Sequence, residues 1–150
     1  MKLAEALLVR ADQKKKLASL RERIGKNARV QEGEEPAEKI NELIAEAFAV
    51  LKQQQMLVQS IERANIQAKL ADGRVLAEAL AERENMVQQH ALLIAAIAAT
   101  SLDSDRYSQR EIKWVAQIKV SSVQKQADDI SARIRHLNVL IQETNWGTEI

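Results

Sequence analysis

The sequence predicts an all-α protein of long antiparallel helices in a bundle or coiled-coil arrangement, interrupted by one short extended or strand segment near residues 111–120. Three observations predict it. Hydrophobic residues make up 46% of the chain but aromatic residues only 3%, so the core must be built from Leu, Ile, Val and Ala, as in helix bundles and coiled coils. Four glycines and one proline allow few tight turns, which argues against a protein of many short strands. Apolar residues recur at three- and four-residue steps along most of the chain, the period of an amphipathic helix. A length of 150 residues suits a single helical domain over 1–150.

The first helix is expected from Lys2 to about Ala28, where Leu3, Leu7, Leu17, Leu20, Ile24 and Ala28 line one face and charges the other. It should stop at Val30-Gln31-Glu32-Gly33-Glu34-Glu35-Pro36, because Gly33 permits a turn and Pro36 can begin a helix but not continue one. Glu34, Glu35 and Glu38 would then sit at the amino terminus of the second helix, where the macrodipole favours negative charge. That second helix, about Pro36 to Ala71, carries Ile40, Ile44, Ala47, Leu51, Val58, Ile61 and Ala68 in alternating four- and three-residue steps. Leu43, Val50 and Leu57 widen the stripe, and Gln54 and Asn65 interrupt it. A helix of about 35 residues is roughly 50 Å long, so its apolar face should exceed what one neighbour covers. Polar seam residues such as Gln54 and Asn65 cost stability unless hydrogen-bonded, and can fix register or oligomer state.

Asp72-Gly73 marks the next break, since Gly can take the left-handed conformation that ends a helix. A third helix from Val75 to about Thr100 turns Leu76, Leu80, Val87, Ile94 and Ile97 inward, and its alanine-rich end is expected to be deeply packed. Ser101 to Ser108 reads as a polar loop. Ile112, Trp114, Ala116, Ile118 and Val120 then alternate with polar residues, a two-residue period. A lone strand cannot satisfy its backbone, so this segment either pairs, most economically with its equivalent in a second chain, or lies irregularly on the bundle. The last helix opens at Ser121-Ser122-Val123-Gln124, a candidate capping box. Its seam is Val123, Ala127, Ile130, Ile134, Leu137 and Ile141, and Trp146 is expected to seal an end of the bundle. The candidate seam between copies is thus Ile40, Ile44, Leu51, Val58 and Ile61 with Ile130, Ile134, Leu137 and Ile141, and the expected partner is a second copy of the chain.

Charge and motifs narrow the chemistry. The chain has no cysteine, which excludes disulfides, thiolate metal sites and cysteine nucleophiles. Residues 1–30 hold nine Lys/Arg against three Asp/Glu, and residues 31–50 one Lys against six Glu. Lys14, Lys15, Lys16, Arg21, Arg23, Lys26 and Arg29 could neutralise phosphates, but no aromatic interleaves them for base stacking. The simpler reading is a solvated helix face, with no nucleic-acid partner. The amino-terminal apolar run is broken by Glu5 and Arg10, too short for a signal-peptide core. The uncharged stretch from Met86 to Leu102 is too short to span a bilayer. These lead to the expectation of a soluble, cytoplasmic protein.

Neither His90 nor His136 belongs to the Glu-x-x-His motif of helical di-metal sites. No glycine-rich phosphate loop, zinc motif or serine elbow occurs, so no catalytic residue and no cofactor is assigned. Two weaker candidates remain. Glu32, Glu34 and Glu35 could bind a hard cation through oxygen, and Arg74, Arg106, Tyr107 and Lys113 are the candidate ligand-binding residues.

Several strings carry a family resemblance: Asn27-Ala28-Arg29-Val30-Gln31-Glu32-Gly33-Glu34-Glu35-Pro36, Asp72-Gly73-Arg74, Glu78-Ala79-Leu80-Ala81-Glu82-Arg83, Arg106-Tyr107-Ser108, Glu111-Ile112-Lys113-Trp114-Val115, Gln124-Lys125-Gln126-Ala127-Asp128-Asp129 and Ile141-Gln142-Glu143-Thr144-Asn145-Trp146. Together they span nearly the whole chain, which resembles the septicolysin-like family of small bacterial proteins. The resemblance implies a helical, oligomeric protein and carries no catalytic residue onto this chain. The family's label comes from a cytolysin, which would imply pore formation and a membrane as partner.

Overall fold

A computed structural model of the protein describes residues 1–101 and 112–150. The fold is all-α, with four helices among the described residues: α1 (Leu3–Asn27), α2 (Ile40–Gln67), α3 (Leu76–Ala99) and α4 (Val120–Gly147). The chain divides into two compact units. Unit 1 comprises Met1–Ala68 with Thr144–Ile150, and unit 2 comprises Lys69–Glu143.

Each unit is built on an antiparallel α-hairpin. In unit 1, Arg23 pairs with Glu38 and Lys16 with Glu46, so α2 numbers fall as α1 numbers rise. Leu20, Leu43 and Val50 form the buried cluster between the two helices, with Leu17, Ile24 and Ala47 packed on it. In unit 2, Arg83 Nη1 donates to Asn138 Oδ1 at 3.3 Å, and Leu93 lies level with Ile130 in a shared groove. The same antiparallel sense follows.

The two hairpins are repeats of one motif. Helices α1 and α3 open on the same five residues, Leu3-Ala4-Glu5-Ala6-Leu7 and Leu76-Ala77-Glu78-Ala79-Leu80, and α2 and α4 each run 28 residues. With helix starts in register, Arg10 matches Arg83, Leu20 matches Leu93, Ala47 matches Ala127, Leu57 matches Leu137, Ile61 matches Ile141 and Asn65 matches Asn145. The backbone repeats as well. Lys39 O accepts from Glu42 N and Leu43 N, as Lys119 O does from Ser122 N and Val123 N. Antiparallel bridges Lys2↔Glu149 and Lys69↔Val75 precede α1 and α3 in the same way. The leucine that opens each repeat, Leu3 or Leu76, is completely buried.

Several expectations change. Helix α2 starts at Ile40 rather than Pro36, because residues 36–39 are spent crossing from one helix to the other. Asn27 Nδ2 donates to Arg23 O at 2.9 Å while its Oδ1 accepts from Glu38 N at 3.0 Å, and Arg23 grips the Glu38 carboxylate. Glu34 and Glu35 therefore precede the helix, in a turn where Gly33 has φ +88°. Helix α2 ends at Gln67, so Gly73 serves a turn between the bridged Lys69 and Val75 rather than a helix end. Helix α4 begins at Val120, which puts Ser121 inside it and removes the capping box.

The segment 112–119 forms no strand. Ile112 is 94% exposed, and alternation without an adjacent edge gives a strand nothing to pair with. The alanine-rich end of α3 is also open rather than deeply packed, since Leu92 and Ile94, on opposite sides of the helix, are both exposed. Trp146 does not seal the bundle. Ile141 and Asn145, four residues apart, both turn inward and are buried, which leaves the next position, Trp146, 54% exposed.

Candidate functional site

A charged constellation lies in unit 2. The turn Leu70–Arg74 is closed by Leu70 N donating to Arg74 O and Gly73 N donating to Leu70 O, both at 2.9 Å. Gly73 has φ +90°, a conformation that L side chains rarely adopt. This turn aims Arg74 at two carboxylates. Its Nε and Nη2 donate to Asp72 Oδ2 at 3.0 and 2.6 Å, its backbone N donates to Asp72 Oδ1 at 3.1 Å, and Nη1 donates to Glu82. Hydrogen bonding to Asp72 and then Glu82 pushes the Arg74 pKa above its ordinary value, and Arg74 in turn holds Asp72 below the usual carboxylate range.

A cleft of about 340 Å³ opens beside this cluster, lined by Arg74, Glu82, Met86, Arg133, His136 and Leu137 among others. Its donors from α4 are Arg133 and His136, three residues apart on one helix face. The arrangement can hold an ion pair and a polar group. Among the described residues no three His, Cys, Asp or Glu side chains come together to hold a metal ion.

Of the candidate ligand residues, two lie among the described residues. Arg74 belongs to the cleft with its guanidinium engaged by its own neighbours, Lys113 is exposed in the segment before α4, and Arg106 and Tyr107 lie outside the described residues. Glu32, Glu34 and Glu35 are exposed on the turn before α2 and form no such metal-holding group. Glu82, Arg133 and His136 are the cleft residues that sequence reasoning missed. The three-residue spacing of Arg133 and His136 was visible, but the register of α3 against α4 was not. Of the seam residues, Ile61, Leu137 and Ile141 are buried inside the single chain and are not free to meet a second copy. Ile40, Ile44, Val58, Ile130 and Ile134 are half-buried, and Leu51 is exposed.

A second site emerges from comparing the repeats. In unit 1 the arms of the hairpin are tied by two ion pairs: Lys16 Nζ lies 2.8 Å from Glu46 Oε1, and Arg23 Nε donates to Glu38 Oε2 at 2.9 Å as part of a two-point grip. These pairs explain why a basic segment is followed by an acidic one. At the matching positions unit 2 has Gln89 and Gln126, then Ala96 and Ile118. Both ties are gone. Between α3 and α4 a groove of about 450 Å³ takes their place, lined by Gln89, Leu92, Leu93, Gln126, Asp129 and Ile130.

The ion pairs make a pH prediction. Hydrogen bonding to Arg23 lowers the Glu38 pKa, and hydrogen bonding to Lys16 lowers that of Glu46. A carboxylate lowered in the folded state contributes stability that is complete above its unfolded value, about 4.3, and is lost as pH falls through the folded value. Hydrogen-exchange protection of the second half of α1 should therefore decline below about pH 4 more than that of the second half of α3. Glu38→Gln should reduce that difference, and equal acid sensitivity of the two arms would count against the pairs.

Comparison with known proteins adds a family. The sequence model of a family of unknown function, DUF6847, matches residues 10–150. The chain belongs to this family. A search of curated proteins gave no match. Among solved structures, the DUF6847 chain is similar to a functionally unknown conserved protein from Corynebacterium diphtheriae, with a TM-score of 0.91 and 34% sequence identity over 100% of this chain and 98% of the other. Among the described residues, no helix of this DUF6847 protein is long and apolar enough to cross a membrane.

Proposed function

We propose that this DUF6847 member is a self-assembling helical protein whose role is structural or interaction-based. The observation that carries this reading is the outer face of α2. Phe48 and Ile66 are 66% and 67% exposed, and Leu51 and Met56 are exposed with them. At 3.6 residues per turn Phe48, Leu51 and Ile66 share one side of the helix. The repeat supplies an internal control, since α4 carries Asp128 and Ser131 where α2 carries Phe48 and Leu51. The motif folds with polar residues there, so apolar ones serve another purpose. Exposed apolar side chains such as the Phe48–Leu51 pair, which Gln55, Gln59 and Glu62 separate from Ile66 along the helix, mark association sites, and aromatic and Met side chains are enriched at the centres of interfaces. The septicolysin-like resemblance implies the same oligomeric habit.

Solution mass by light scattering on a size-exclusion column tests the reading. A discrete multiple of the chain mass is expected, unchanged between low and high salt because apolar contacts are not screened. A monomer at every concentration would sink it.

A further inference from the structure

The cleft beside the Leu70–Arg74 turn has two walls of opposite charge. On the first, Arg74 is the counterion of both Asp72 and Glu82, so one guanidinium faces two carboxylates and the wall keeps an excess negative charge. The Asp72 oxygens accept from the Arg74 side chain and backbone, and Glu82 Oε2 accepts from Nη1, which leaves Glu82 Oε1 without a donor among the described residues. On the second wall α4 presents Arg133 and His136. Among the described residues neither has a hydrogen-bond or ion-pair partner, so the donors of the Arg133 guanidinium are all unassigned. The floor between the walls is apolar, with Met86 and Leu137 both buried. Asp72, whose carboxyl Arg74 holds down by hydrogen bonding, is lowered further by the nearness of His136, so the two walls stand close across the cleft. The repeat shows that the hairpin does not need these groups. With helix starts in register, unit 1 carries Val9, Gln53 and Met56 where unit 2 carries Glu82, Arg133 and His136, and the same motif folds around them.

We propose that this cleft binds a small zwitterion of the amino-acid class, with its ammonium group on Glu82, its carboxylate on Arg133 and His136, and an apolar side chain over Met86 and Leu137. Charge selects the class. A simple anion would gain Arg133 but face the excess negative charge of the opposite wall. A simple cation would gain Glu82 and leave the Arg133 guanidinium unmatched. A molecule bearing both signs satisfies both walls, and hydrogen bonds between charged groups are the strong ones. Size narrows the choice, since about 340 Å³ lies at the small end of the roughly 300–1,000 Å³ of ligand pockets, which suits a single amino acid better than a peptide or a nucleotide. The acidic wall is also set in advance. Gly73 at φ +90° shapes the turn that holds Arg74, and Arg74 holds Glu82, so less ordering is left to be done on binding. The inference stands apart from self-assembly, because every residue it uses lies in unit 2 and none on the outer face of α2.

The test follows the two histidines of the chain by NMR, assigned with a His90→Gln variant, since His136 lines the cleft and His90 does not. Titrating the full chain with L-leucine should shift the His136 ring signals saturably, with a dissociation constant below about 10 mM, and leave those of His90 in place. N-acetyl-L-leucine, which lacks the cation, and L-leucinamide, which lacks the anion, should each bind more weakly by on the order of 10-fold. Arg133→Gln and Glu82→Gln should each weaken leucine binding by a similar factor while the His90 signals stay those of the folded chain, because both side chains are exposed. Glu82→Gln also touches the Arg74 pair, so Arg133→Gln and the two blocked ligands carry the test if that variant fails to fold. If leucine moves neither histidine, or moves both alike, the site is refuted. If a blocked form binds as well as leucine, the zwitterion is refuted, in favour of an anion when it is N-acetyl-L-leucine and of a cation when it is L-leucinamide.

Discussion

Leu76→Ala is expected to destabilise the protein by about 2–5 kcal/mol. Leu76 opens α3, is completely buried, and has buried Leu70, Ala79 and Met86 in the same unit. Truncation removes the transfer free energy of the lost methyl groups and leaves a cavity that a helix start tied by the Lys69↔Val75 bridge has little freedom to close. Urea unfolding monitored by circular dichroism measures the loss, and the repeat supplies the companion experiment. Leu3→Ala makes the same deletion at the matching position of unit 1, where the Lys2↔Glu149 bridge plays the same part. If the two units unfold independently, each variant should move its own transition. If they unfold as one, both variants should lower a single midpoint by similar amounts at unchanged slope. A loss under about 1 kcal/mol at both sites would contradict the packing described.

Much of this fold can be read from hydrophobic period alone. The four helices lie where three- and four-residue spacing puts them, and the α4 seam through Ala127, Leu137 and Ile141 is buried as its heptad suggests. Rotation about a helix axis was less legible. The apolar stripe of α2 is wide enough to face inward in two ways, and the chain buries Leu43, Val50, Ile61 and Ala64 rather than the line through Ile44, Leu51 and Val58. Period fixes that a stripe exists, and the neighbour decides which edge of it turns inward. Alternation at 112–120 left a paired strand and an irregular extended segment both open for a related reason, since a two-residue period states only that a strand would be amphipathic, and the chain takes the second. The repeated Leu-Ala-Glu-Ala-Leu string was visible in the sequence, but it acquires meaning only with helix register. Only then can Lys16 be compared with Gln89, or Glu46 with Gln126, to expose the groove. The Arg74 cluster was half legible, because Asp72-Gly73-Arg74 marks a turn, while the approach of Glu82 depends on how that turn leads into α3 and that of His136 on how α3 meets α4.

Replacing Gln13 by Met, or Gln54 by Ile, is expected to stabilise the protein by about 1–3 kcal/mol, although each change removes a hydrogen-bonding group. Gln13 Oε1 and Gln54 Nε2 are both buried without a partner, so each forfeits its hydration and gains nothing in exchange. Gln13 lies one turn before Leu17, and Gln54 one turn beyond Val50, which puts the two amides at the same level of an antiparallel seam. The repeat has already made both substitutions, carrying Met86 and Ile134 at these places. An apolar pair thus packs within the same backbone motif, and the double variant tests whether the gains combine. The opposite result would be as informative. If Gln13→Met and Gln54→Ile each destabilise while the double variant recovers, the acceptor and donor bond each other in solution. If stability rises but light scattering shows a changed oligomer, the two amides set register between copies, a role that polar residues in apolar seams fill at a cost in stability.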